Sequence, residues 1–308
     1  MLPSASASGS FPLAKLDGGV SCSWISSAFD ERVALCQLEA HGIDEAEHSL
    51  AELLEALDKA GAAGARLVAL PECSYPAYEL GDSHPYGKPG VRPFEDVIAL
   101  LAEKARAHGY WIAAGLAAPH AGGGVTNSGI VIAPDGEVYG QYDKCFLWHF
   151  DKTWFTPGRE FPVFDTGFCR FGILICADGR QPEVARSLAL NGAEVILDLT
   201  AWVTSGPDMA ALTTAQVEHL MPVRAYENGV WVAAADKCGT ENGSIIYAGG
   251  TSLVINPTLT GNVQYDPHKS FELVSLMSFT PFILHVNVDF PPKNMAELIA
   301  YAKANPGK

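Results

Sequence analysis

The chain has 308 residues, 48% hydrophobic and 18% charged, a balance that fits a folded chain with a sizeable core and excludes a disordered one. Its formal net charge of −15 argues against nucleic acid or an anionic membrane surface as partner. No stretch approaches ~20 uninterrupted apolar residues, so no membrane-crossing helix is expected.

Residues 1–30 are rich in Ser, Ala and Gly and lack a basic start followed by an apolar block. They read as a loosely ordered N-terminal extension, not a signal peptide. The main domain is expected over 31–290. Arg32 to Glu39 reads as its first strand. From Ile43 to Ala60, Leu50, Leu53, Leu54 and Leu57 recur at helical spacing, and the 61–64 segment with its two glycines is expected to end that helix. Arg66 to Leu70 reads as a short strand ending at Pro71-Glu72. Phe94 to His108 reads as an amphipathic helix and Tyr110 to Leu116 as a strand.

Strands at 126–133 and 138–144 flank Pro134-Asp135-Gly136, a hairpin signal. Phe171 to Cys176 reads as a strand, Pro182 to Asn191 as a helix and Val195 to Leu199 as a strand. A helix over 213–228 and a strand over 230–235 follow. Strands are also expected at 251–256, near Gln264 and at 282–289. Residues 291–308 read as a C-terminal tail with a helix over 295–303. The result is one mixed α/β domain with more strands than one sheet holds comfortably. Two sheets packed face to face, with helices outside, would bury them all.

The cysteines at 22, 36, 73, 145, 169, 176 and 238 are odd in number and scattered, with no Cys-x-x-Cys. They read as reduced thiols of a cytoplasmic protein. The nine His show no metal-ligand spacing, so neither a metal nor another cofactor is expected.

Three ionisable residues each stand where an apolar strand meets a loop: Glu72 after LVALP, Lys144 after VYGQYD and Cys176 after GILI. Brought together, they make coherent chemistry. A thiol of pKa ~8.5 is mostly protonated at neutral pH. A carboxylate can take its proton and an ammonium can stabilise the anions that follow. The N–H of Ala177 is a candidate oxyanion donor, and the helix start after Cys176 is expected to lower the thiol pKa. Spacing alone leaves a separate reading open: an inert buried thiol, a helix-capping carboxylate and a solvated lysine.

These segments resemble the nitrilase, or carbon–nitrogen hydrolase, superfamily. The resemblance is carried by GARLVALPE around Glu72, GQYDK around Lys144 and GILICADGRQPE around Cys176. TPG at 156–158, NGAEVIL at 191–197 and RAYEN at 224–228 support it, in order, from about Arg32 to about Asp289. It implies a four-layer αββα sandwich of two mixed sheets flanked by helices. It also implies hydrolysis of a non-peptide C–N bond through a Cys thioester, and a homodimer or larger homo-oligomer. In that scheme Cys176 is the nucleophile, Glu72 the general base and Lys144 the stabiliser of the tetrahedral intermediate. Members commonly carry a second active-site Glu seven residues before the Gly of the PG turn. Here that residue is Asp151, whose carboxylate is one methylene shorter; Glu160, after the turn, is the alternative.

Nitrilases proper typically carry Cys-Trp-Glu, whereas this chain has Cys176-Ala177-Asp178. The flank is similar to amidases and carbamoylases, which implies a carboxamide or N-carbamoyl (ureido) substrate and release of ammonia. A nitrile-hydrolysing enzyme and a catalytically weak binding member of the fold are the alternatives. Trp148, Trp154 and Trp202 are candidate pocket walls and His149 a candidate ligand for a substrate carboxylate. Asp178 and Arg180 are expected to form an ion pair at the turn, and Arg224 and Glu227 a structural network. Asn127 is expected to order the Glu72 region. Cys73 and Cys145 lack the strand-to-helix setting of Cys176.

Overall fold

Crossovers from strand to helix to parallel strand organise the chain. In chain order the elements are β1 (Ala14–Lys15), β2 (Ser21–Ile25), β3 (Val33–Ala40), α1 (Ala46–Ala62), β4 (Leu67–Tyr75), α2 (Phe94–His108), β5 (Trp111–Pro119), β6 (Val125–Ile132), β7 (Val138–Asp143), α3 (Asp151–Trp154), β8 (Val163–Asp165), β9 (Arg170–Ile175), α4 (Pro182–Leu190), β10 (Val195–Thr200), β11 (Val203–Thr204), α5 (Met221–Asn228), β12 (Trp231–Glu241) and β13 (Ser244–Ile246). This computed structural model describes residues 14–15, 21–25, 32–149, 151–204, 216–241, 244–246, 297, 301 and 303. The strands expected at 251–256, near Gln264 and at 282–289 lie outside them. One compact unit spans residues 1–272 and a second spans 273–308; in the latter, residues 297, 301 and 303 are helical.

Nine strands form one hydrogen-bonded path of mixed direction, β7-β6-β5-β4-β3-β12-β10-β9-β8. The pairs β3–β4, β4–β5, β3–β12, β10–β12 and β9–β10 are parallel, and β5–β6, β6–β7 and β8–β9 are antiparallel. β12 joins the two halves: Trp231 to Asp236 pair with β10, and Lys237 to Gly239 pair with β3. Two short strands lie within the N-terminal extension, and β2 pairs antiparallel with β3.

Period-two alternation decides what each strand buries. Leu50, Leu53 and Leu57 of α1 and Val97 and Leu101 of α2 pack with Val68, Leu70 and Ile112. Leu67, Ala69, Ala113 and Val131, from one half of the path, share a second cluster with Ile173, Ile175, Leu197 and Leu199 from the other. Leu174 and Ile196, on the opposite face, pack under Val184 and Leu188 of α4. Each such Leu or Ile contributes roughly 1.5–3 kcal/mol by leaving water.

Element boundaries follow the sequence reading closely, with corrections at β12, which runs to Glu241 and not only to residue 235, and at β4. Helix α1 ends at Ala62, inside the 61–64 segment expected to end it, with Gly64 at φ +81°; at Gly61 the His108 ring of α2 fills the space where a Cβ would sit, 2.3 Å from its Cγ. Strand β4 does not end before Pro71-Glu72 but continues to Tyr75, with a shift of register against β5 between Leu70 and Tyr75. That shift depends on Gly115 of β5, whose missing Cβ would lie 2.1 Å from the Pro71 carbonyl oxygen and 2.8 Å from Glu72 Cα. The hairpin was anticipated from Asp-Gly, and Gly136 has φ +83° there.

Gly115→Ala is therefore expected to destabilise the fold by about 1–3 kcal/mol and to displace Glu72. Urea denaturation together with turnover checks this; wild-type stability and turnover would show that β5 does not press on β4 at this point.

Candidate active site

The strands that carry Glu72, Lys144 and Cys176 are not neighbours in the sheet, contrary to the side-by-side arrangement that would most simply join their ends. β4 pairs with β3 and β5, β7 with β6, and β9 with β8 and β10. Their residues meet because the two halves of the strand path share one core. Glu72 Oε2 accepts the backbone N–H of Ala201, just past β10, at 3.0 Å.

Lys144 is the hub. Its Nζ donates to Glu72 Oε1 at 2.7 Å and to Asp151 Oδ2 at 2.6 Å, and all three side chains are fully buried. Glu72 Oε1 also accepts from Asn127 Nδ2 at 2.7 Å, as the sequence reading of Asn127 anticipated. Asp151 is saturated: Oδ1 accepts the Tyr78 hydroxyl at 2.9 Å, and Oδ2 also accepts the Trp148 N–H at 3.1 Å. The shorter carboxylate thus reaches Lys144, while Glu160 is exposed on a separate 430 Å³ cavity. An ammonium has three N–H donors, and these two carboxylates occupy two of them.

Cys176 opens a 3-10 turn, Cys176–Arg180, with φ +48°, a region that non-glycine residues rarely occupy. Its N–H donates to Asp198 Oδ1 at 3.0 Å and its carbonyl accepts Gln216 Nε2 at 3.1 Å. Burial and the Glu72 charge push its thiol well above the ordinary cysteine value, with Lys144 opposing. This corrects the expected lowering by the helix start: one short turn does not outweigh desolvation beside a carboxylate. Burial also raises Glu72, against the pull of Lys144. Burial opposes the charge on Lys144, but Asp151 and Glu72 outweigh it and hold the group protonated.

A cavity of about 650 Å³ reaches the turn at Ala177 and is lined by Trp148, Lys152, Phe155 and Arg180, among others. Of the four candidate pocket residues, Trp148 lines it, with the Arg180 guanidinium 5.6 Å from its ring centre. His149, Trp154 and Trp202 are not among its described lining residues. Trp202 is buried in the core cluster that holds Cys176, Trp154 packs beside Tyr78 and Leu80, and the His149 ring lies against Trp148.

Asp178 and Arg180 do not pair with each other. Asp178 accepts from the Tyr142 hydroxyl and from the N–H groups of Phe146 and Ile175, and burial raises its pKa to about 6. Arg180 Nε donates to Gln216 Oε1 at 2.9 Å. Side chains three or fewer residues apart on a tight turn point to different partners, which spacing alone does not reveal. The Arg224–Glu227 pair forms as expected, at 3.0 Å, and Arg224 also donates to the carbonyls of Gly179 and Arg180. The sequence reading missed Tyr78, Gln216 and Asp198, which carry no motif. Each becomes legible only when a distant element delivers it.

With this geometry in hand, comparison with known proteins is direct. The carbon–nitrogen hydrolase family profile matches residues 32–270. A nitrilase from Pyrococcus abyssi is 34% identical over 73% of this chain and 81% of its own length. The human omega-amidase NIT2 is 30% identical over 73% of this chain and 81% of its own length. A solved amidase from Nesterenkonia sp. AN1 superposes with a TM-score of 0.62 at 28% identity, over 70% of this chain and 82% of its own. A mutant of that amidase carries acrylamide added to its active-site cysteine. The chain belongs to the carbon–nitrogen hydrolase family.

Asp151→Asn leaves the buried Lys144 with one anionic partner. The expected loss is about 3 kcal/mol of stability and at least ~10-fold in kcat, read by denaturation and steady-state turnover. Wild-type values in both would show that Asp151 does not hold Lys144.

Proposed function

We propose that this chain is a Cys-dependent amidohydrolase that cleaves a carboxamide through a thioester on Cys176. The observation that carries the reading is the buried Lys144 ammonium held between Glu72 and Asp151, with Cys176 in the field of both Glu72 and Lys144.

The resting thiol is neutral, so its proton leaves as the S–C bond forms. Glu72 takes that proton while Sγ attacks the carbonyl carbon. The oxyanion draws on the third N–H of Lys144 and the N–H of Ala177. Glu72 returns the proton to the leaving nitrogen, ammonia departs and the thioester remains. Water then attacks the thioester as Glu72 accepts its proton, and collapse returns the proton to the thiol and frees the carboxylic acid. Asp151, saturated by its own donors, positions Lys144 and does not meet the substrate.

The cavity beyond Ala177 carries two cationic side chains, Lys152 and Arg180, with Trp148 between wall and cation. On a chain of net charge −15 this local cation pair favours a substrate with a distal carboxylate. A monoamide of a dicarboxylic acid fits, and the similarity to omega-amidases supports it. An N-carbamoyl amino acid has the same distal group. A nitrile substrate is the second reading, favoured by the similarity to a nitrilase.

The proposal extends to the four-layer αββα arrangement, supported by the core cluster shared between the two halves of the strand path and by helices packed on the outer faces. It includes a domain over 31–290, supported by the profile match at 32–270. A cytoplasmic location is supported by the free state of all six described cysteines. A homodimer or larger homo-oligomer is supported by Leu190, Val223 and Tyr226, exposed on α4 and α5. Binding of a small amide needs no cofactor, nucleic acid or membrane.

Ammonia release from dicarboxylic monoamides, N-carbamoyl amino acids, neutral amides and nitriles tests the substrate reading. Wild type is expected to favour the monoamides and Cys176→Ala to be inactive; full activity in Cys176→Ala would remove the nucleophile assignment. Arg180→Ala is expected to raise KM for the anionic amide about 10–100-fold and to leave a neutral amide unchanged. An equal effect on both would refute the carboxylate contact.

A further inference from the structure

Asp198 of β10 is fully buried and takes no part in the steps above. Its Oδ1 accepts the Cys176 N–H at 3.0 Å, while its Oδ2 has no hydrogen-bond partner among the described residues. The charged groups that act most strongly on it are Glu72 from β4, Asp236 from β12 and Asp178 from the turn after β9, all acids. An ionised carboxylate in that setting lacks both a cation and a full set of donors, and burying it costs far more than burying the neutral acid. Burial accordingly pushes Asp198 well above the usual carboxylate range.

The partner of Asp198 is the residue that needs holding. Cys176 keeps φ +48°, a conformation that persists only where its surroundings over-determine it. Two hydrogen bonds fix its flanking peptide groups, from its N–H to Asp198 and from Gln216 to its carbonyl. A charge on Asp198 would oppose formation of the thiolate beside it.

We infer that Asp198 is a neutral carboxylic acid that positions Cys176, accepting its N–H in the strained elbow without setting another negative charge against the attacking sulfur. It is a positioning residue, because it acts through the Cys176 backbone. The inference rests on Cys176 being the nucleophile.

The test compares D198N, D198L and C176A in the full chain. D198N keeps an acceptor without charge, so its kcat is expected within about threefold of wild type, with an unchanged pH profile of kcat/KM. D198L removes the acceptor, so its kcat is expected to fall about 100-fold with KM nearly unchanged. The infrared difference spectrum, wild type minus D198N at neutral pH, is expected to contain the C=O band of a protonated carboxyl. The inference is overturned if D198N falls as far as D198L, if D198L matches wild type, or if the difference spectrum contains ionised-carboxylate bands instead. Should D198L fail to fold by circular dichroism, D198N and the spectrum decide. Full activity in C176A would remove the nucleophile reading, whereas loss in both C176A and D198N would remove only the role of Asp198.

Discussion

A single ammonium buried between two carboxylates is the constraint on which this molecule is built. Taking Lys144, Glu72 and Asp151 out of water together carries a desolvation cost of several kcal/mol per ion. Only close pairing offsets it, and the distances of 2.6 and 2.7 Å are those of charge-assisted bonds. Every remaining acceptor is then engaged: Asn127 and the Ala201 N–H on Glu72, Tyr78 and the Trp148 N–H on Asp151. The site is rigid because leaving any of these groups unmet in a dry interior is expensive.

Those partners come from four regions of the chain, so the surrounding fold answers to the ion cluster. Glu241, at the end of β12, accepts the N–H groups of Tyr78 and Glu79, and Lys237 donates to the Cys73 carbonyl. These bonds fix the segment after Glu72 that brings Tyr78 to Asp151. The absence of a Cβ at Gly115 lets β5 approach the backbone of Pro71 and Glu72 closely. Loss of a side chain at one position and exact engagement of polar groups at others serve the same end.

The charge balance also sets how the chemistry is timed. Burial, with the Glu72 charge beside it and Lys144 opposing, holds the nearby thiol neutral and not as a standing thiolate. In the proposed mechanism proton transfer to Glu72 accompanies attack, and the raised affinity of a buried carboxylate for protons suits Glu72 to that task. A neutral Asp198 keeps the local charge from growing further. The proposed substrate carboxylate would be met farther out, where Arg180 and Lys152 line the cavity.

Much of this was legible in the sequence. Helical spacing gave α1 and α2, apolar runs gave β3, β5, β9 and β10, and Asp-Gly gave the β6–β7 hairpin, because periodicity and turn chemistry are local properties. Glu72, Lys144 and Cys176 stood out because ionisable side chains at the ends of apolar strands are costly unless they are used, and the family resemblance joined them. Tertiary structure alone decided that Asp151 is bound to Lys144 and that Glu160 is not. It also decided that Trp148 lines the cavity while Trp202 lies in the core, and that Asp178 and Arg180 part ways. It reversed the expected direction of the Cys176 shift. The physical reason is common to all: hydrogen-bond partners, burial and net field arise from residues far apart in the chain, and one-dimensional spacing carries no record of which of them will meet.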